Sequence, residues 1–153
     1  FGLEFIGPKT LRDEMRHTFI YTIGGMLELC NAIAVDPQDN KERIGVLLDS
    51  YHWWTSGATE SDLMDLLNND NIVYVHVNDG RSGRSRDEQM DLERTLPCES
   101  GLIDSATFMR CLKKLNYDGP LTAEPFLPEL VEMDIDAAVE RTAQTIRQMM
   151  ATA

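Results

Sequence analysis

The sequence predicts an α/β fold built on a parallel sheet. Four short apolar runs recur along the chain, and each is followed by a helical pattern. The runs are rich in Val, Ile, Leu and Phe and do not alternate with polar residues, which is how strands covered on both faces read. The chain has 153 residues, 42% of them hydrophobic, so one domain over residues 1–153 has material for a real core.

The four runs are Leu3 to Ile6, Ile44 to Leu48, Ile72 to Val77 and Leu121 to Phe126. A first helix is expected over about Thr22 to Ala34, with Ile23, Met26, Leu27, Cys30 and Ile33 on one side. Thr59 followed by Asp62 reads as a capping box ahead of Leu63, Leu66 and Leu67. Asp104 is placed to cap a helix carrying Phe108, Cys111, Leu112 and Leu115. Asp134 or Asp136 is placed to cap the last helix, whose stripe is Ile135, Val139, Thr142, Ile146 and Met149.

Alternating β and α leaves two architectures: an open doubly wound sheet and a (β/α)8 barrel. Gly80, Gly83 and Gly101 do not form a GxGxxG after a strand, and no phosphate-binding GxxxxGK[ST] is present. Four βα units average about 38 residues, so eight would need roughly 300, a barrel's usual length. The chain starts at Phe1, directly before a strand. The expectation is therefore half of a TIM-type barrel, with β-edges completed by further chain or by a second copy.

Composition excludes several classes. Fourteen basic against 26 acidic residues give a net charge of -12, which argues against nucleic acid as partner. No apolar run approaches the ~18 residues of a membrane span, and no signal-peptide pattern is seen, so a cytoplasmic location is expected. Cys30, Cys98 and Cys111 are odd in number and lack CxxC spacing, so neither a disulfide framework nor a cysteine zinc site is expected.

Each apolar run delivers an ionisable group near its C-terminal end: Glu4, Asp49, His76 and Glu124. Ligands of parallel sheets bind at that end. Converging buried carboxylates need a counter-ion, and three carboxylates with one imidazole suit Mn²⁺ or Mg²⁺, with Co²⁺ tolerated. His52 follows Asp49 by three and lies beyond the strand, within reach of a substrate hydroxyl. Asp79 closes the third strand's polar end, and Trp53 offers an aromatic wall or a core residue. Arg81, Arg84 and Arg86 sit among glycine and serine. They read either as forks for an anionic or polyhydroxyl substrate or as partners of Asp87, Glu88 and Asp91. His17 has no such context and reads as a surface residue.

The stretches Leu3-Glu4-Phe5, Leu47-Leu48-Asp49-Ser50-Tyr51-His52, Val75-His76-Val77-Asn78-Asp79 and Ala123-Glu124-Pro125-Phe126 resemble the C-terminal half of a xylose isomerase-like TIM barrel. The resemblance implies a sugar or sugar-phosphate isomerase or epimerase that uses one divalent metal, Mn²⁺ foremost. It implies Glu4, Asp49, His76 and Glu124 as the metal ligands. It further implies Glu4 and Glu124 as the acid/base pair, acting alpha to a carbonyl through a metal-stabilised enediolate, and His52 as a substrate contact. Arg81, Arg86, Asp79 and Trp53 complete the expected substrate-binding set. An inosose-type dehydratase and a hydroxypyruvate-type isomerase share the frame. An endonuclease-IV-like repair enzyme, which needs many histidines, and a non-catalytic barrel module are more remote. Where this family often carries Leu-Pro-Gly-Glu-Gly, the chain has Leu96-Pro97-Cys98-Glu99-Ser100-Gly101.

Overall fold

The computed structural model describes residues 1–33 and 44–153. Strands β1 (Gly2–Glu4), β2 (Gly45–Asp49), β3 (Ile72–Val77) and β4 (Leu121–Ala123) form one parallel sheet in the order β1-β2-β3-β4. A doubly wound sheet reverses its strand order at a switch point; this sheet adds each strand to the last, as a TIM barrel does.

Helices α1 (Lys9–Glu14) and α2 (Ile23–Ile33) follow β1; α3 (Ser50–Ser56) and α4 (Glu60–Leu66) follow β2. Two single 3₁₀ turns, Arg86–Glu88 and Asp91–Glu93, lie in the loop after β3, which leads to α5 (Ser105–Lys114). Helices α6 (Pro128–Glu132) and α7 (Ile135–Met150) follow β4. Ala34, the expected end of the first helix, lies outside the described residues.

One sheet face carries Val46, Leu48, Val75 and Val77, all fully buried under the helices. Ile23, Met26 and Cys30 of α2, Leu63 of α4, Phe108, Cys111 and Leu112 of α5, and Met149 of α7 cover them. Burying each large side chain is worth about 1.5–3 kcal/mol, so this layer is the main source of stability. Register puts Glu4, Leu47, Tyr74, Asp49, His76 and Thr122 on the opposite face.

The expected caps are present. Thr59 and Asp62 form the capping box of α4, Asp104 accepts from Thr107 N at α5, and Asp134 rather than Asp136 caps α7. The α7 stripe is buried only toward its C-terminal end. Met149 is buried and Ile146 packs on the core, while Ile135 and Val139 are exposed. A sixteen-residue helix is about 24 Å long and the three-residue β4 about 10 Å, so β4 covers part of it. Leu66 and Ile33 are likewise half exposed at their helix ends. β1 and β4 stop at Glu4 and Ala123, short of the expected Ile6 and Phe126. Each is an outer strand of this sheet, paired on one side, yet Phe5 just past β1 remains fully buried.

Candidate metal and substrate site

The polar ends of the four strands meet. Glu4, Asp49, His76 and Glu124 each present one ligand atom, and these atoms lie within 4.8 Å of one another. His76 Nδ1 is 3.1 Å from Glu124 Oε2, 3.8 Å from Glu4 Oε1 and 3.9 Å from Asp49 Oδ2. Among the described residues neither Glu4 Oε1 nor His76 Nδ1 has a hydrogen-bond partner, though both atoms are buried. Ligand atoms around a single hard cation lie about 3–4 Å apart, so the set fits one ion at its centre.

Charge points the same way. Glu4, Asp49, Asp91 and Glu124 place four carboxyl groups around the Arg94 guanidinium and the two imidazoles, His52 and His76. A divalent ion would offset the excess of carboxylates. Burial pushes the Asp49 carboxyl up to about 6; Arg94 opposes the rise and Glu4 adds to it. Contact with the Glu4 carboxylate raises His76 against the effect of burial, and Glu124 and Asp49 add to it. Burial raises Asp91, partly offset by Arg94.

Two residues outside the expected set organise the centre. Arg94 is 4% exposed, and its Nη1 donates to Asp49 Oδ2 at 2.7 Å and to Glu124 Oε2 at 3.0 Å. Its guanidinium lies over the Phe126 ring, 4.6 Å from the centroid. Burial works against its charge, yet Asp49, Asp91, Glu124 and Glu4 together raise its pKa. Asn78 donates from Nδ2 to Asp49 Oδ2, accepts at Oδ1 from the Glu124 backbone N–H, and pairs with the Ser50 hydroxyl. It therefore ties together the ends of β2, β3 and β4.

His52 is fully buried on α3. Its Nδ1 accepts from the Gly7 N–H, and its Nε2 faces Glu4 Oε1 at 3.8 Å and Asp91 Oδ1 at 3.7 Å. Burial, with the Arg94 and His76 charges, lowers its pKa to about 3. A Cβ at Gly7 would strike the His52 carbonyl, so only glycine lets this loop reach α3.

The other expected substrate contacts sit elsewhere. Asp79 is fully buried and saturated: it accepts from the backbone N–H groups of Gly80, Ser100, Gly101 and Ile103. It clamps the loop before α5 and has no capacity left for a substrate. Trp53 packs on Phe108 in the outer core and donates its indole N–H to the Thr59 carbonyl, so it is no wall of the site. Arg86 lies over the Gly57 end of α3, where its charge complements the helix dipole, and beside Asp87. Arg84 pairs with Glu93. Arg81 is exposed and, with Ser82, borders a surface depression beside Thr95 and Glu99. His17 is exposed, as expected.

Residues 10–150 match the xylose isomerase-like TIM barrel family, and the chain belongs to it. Over 147 residues it is 26% identical to the inosose isomerase of Halalkalibacterium halodurans, covering 94% of this chain and 45% of that one. Over 106 residues it is 27% identical to the ketose 3-epimerase of Arthrobacter globiformis, covering 68% and 31%. A xylose isomerase domain protein from Alicyclobacillus acidocaldarius superposes with a TM-score of 0.81 at 31% identity, over 99% of this chain and 50% of that one. The IOLI protein, solved with a bound zinc atom, superposes with a TM-score of 0.79 at 21% identity, over 98% and 48%; this last likeness is one of fold. The chain spans less than half the length of the curated relatives it matches.

Proposed function

We propose that Glu4, Asp49, His76 and Glu124 hold one divalent metal ion and that this centre serves a sugar or sugar-phosphate isomerase or epimerase. The observation that carries the reading is the meeting of four donors, two of them buried without a hydrogen-bond partner among the described residues. Three carboxylates and one imidazole favour Mn²⁺, with Mg²⁺ and Co²⁺ as close competitors. The inosose isomerase and ketose 3-epimerase relatives support a substrate with a carbonyl flanked by hydroxyls.

A bound divalent ion supplies Lewis-acid polarisation of a carbonyl and neutralises charge developing on its oxygen. The residues of the chain do the rest. Glu4 and Glu124 come from β1 and from just past β4, on either side of Asp49 and His76. One takes the proton alpha to the carbonyl and the other returns a proton, to the opposite face in an epimerisation. Arg94 holds Asp49 and Glu124 in register and stays protonated throughout. His52, neutral and fixed by Gly7, keeps an N–H at Nε2 for a substrate hydroxyl.

Deuterium wash-in from D₂O at the substrate's alpha carbon tests this directly. Wild-type full-length protein saturated with Mn²⁺ is expected to exchange, and Glu124→Gln to lose exchange by about 10²–10⁴-fold while staying folded. Undiminished exchange in Glu124→Gln overturns the acid/base assignment.

A further inference from the structure

Beside the four ligand residues, a second set of buried polar atoms lacks hydrogen bonds among the described residues, although Arg94 Nη2 faces one of them, Asp91 Oδ1, at 3.7 Å. His52 Nε2 and Asp91 Oδ1 lie 3.7 Å apart, and neither makes a hydrogen bond to a described residue. The His52 side chain is 1% exposed, and Asp91 is 19% exposed. Because Nδ1 accepts from the Gly7 N–H, the ring proton sits on Nε2. A donor and an acceptor therefore face each other across a gap too wide for a direct bond. A hydroxyl oxygen about 2.8 Å from each would accept from one and donate to the other.

Asp91 is brought there by a built loop. The Asp79–Thr95 backbone pair closes that loop at its base. Fully buried Gln89 ties its interior, accepting from Arg81 N and donating to the Arg81 and Arg84 carbonyls. On either side of the carboxylate, the Tyr51 hydroxyl donates to the Met90 carbonyl and Arg94 Nε to the Asp91 carbonyl. Glu4 Oε1, the other acceptor facing His52 at 3.8 Å, is committed to the ion in the proposed function. That leaves Asp91 as the acceptor.

We infer that Asp91 is a substrate-binding residue: with His52 it reads one hydroxyl of a polyhydroxylated ketone and selects against the analogue lacking it. The inference rests on the proposed carbonyl-sugar reading of the same site. A site built to bond a hydroxyl rejects the deoxy analogue because its buried donor and acceptor are then left unpaired.

The test is calorimetry on Mn²⁺-loaded full-length protein with D-fructose, D-tagatose and scyllo-inosose, then with the monodeoxy forms of whichever binds. Asp91→Ala is expected to weaken the parent sugar about 10- to 100-fold. It should leave one monodeoxy form, already weak in wild type, unchanged. Mn²⁺ affinity, to which Asp91 adds only its charge, should fall by much less than sugar affinity, and Asp91→Asn, which keeps the shape, should recover part of the sugar affinity. Equal sugar affinity in wild type and Asp91→Ala overturns the inference alone; the gap then holds a buried water only. Loss of Mn²⁺ affinity or stability in step with sugar affinity also overturns it, since Asp91 would then merely support Arg94. Wild type that binds Mn²⁺ but none of the three ketones overturns the proposed function for free sugars, and the inference with it.

Discussion

Asp49 and Asp104 do the same local task in opposite surroundings. Each caps a helix: Asp49 accepts from Tyr51 N at α3, and Asp104 from Thr107 N at α5. Asp104 sits on the outer layer, and bonds from the Thr107 backbone and hydroxyl hold its carboxyl below the usual range. Asp49 lies at the sheet's polar end, where burial carries it up to about 6 despite Arg94 at 2.7 Å. The outer layer spends its charges on satisfied caps. The strand ends gather charges that protein groups only partly neutralise, the pattern the proposed metal site requires.

The largest expected effect removes the guanidinium that faces the carboxylates at the strand ends. Arg94→Met should cost about 3 kcal/mol in urea unfolding, because it strands buried Asp49 without its partner. Saturating Mn²⁺ should recover part of that loss, since binding to the folded state adds stability. A loss under about 1 kcal/mol would make Arg94 an ordinary surface pair.

On the outer layer, Asp104→Ala should cost about 1 kcal/mol at pH 7, as a lost N-cap does. Its pKa is lowered in the folded state, so its contribution is present above the ordinary carboxylate pKa of about 4 and disappears as pH falls below it. The gap between wild type and variant should therefore close under acid. Asp49 runs the other way. Its pKa is raised, so in metal-free protein its contribution is full below about pH 4 and is lost as pH rises through about 6. A gap for Asp104→Ala that widened under acid would contradict this assignment.

The smallest effect concerns the loop that Asp79 clamps. Cys98 has φ of 64°, in the left-handed region, where glycine is unstrained. This is the place where the family often has Gly, and Cys98→Gly should raise stability by about 0.5–1 kcal/mol in the same unfolding assay. A loss would show that the thiol's contacts outweigh backbone strain.

Much of this was legible in the sequence, for a physical reason. A strand buried on both faces is a run of apolar residues, so an ionisable residue at its end stands out: Glu4, Asp49, His76 and Glu124 were all visible this way. Helices with caps and a stripe, such as α4 and α5, were visible too. The short helices α1, α3 and α6 were not, because five to seven residues hold too little periodicity unless a capping box marks them, as it does in α4. Arg94 and Asp91 were hidden because they come from an irregular loop. In sequence Asp91 read as a surface partner for the loop arginines, and only the loop's path, fixed by Gln89 and Tyr51, turns both residues inward. Asp79 and Trp53 misled for the converse reason. Residue type marked them as polar and aromatic candidates, while backbone amides and Phe108 had already claimed them.

Calorimetric titration of full-length protein with Mn²⁺, with Zn²⁺ as competitor, tests the central claim most directly. The account predicts one ion per chain, lost in Asp49→Asn and in His76→Ala and retained in Trp53→Phe. Undiminished binding in Asp49→Asn, or none in folded wild type, would contradict a metal centre at the strand ends.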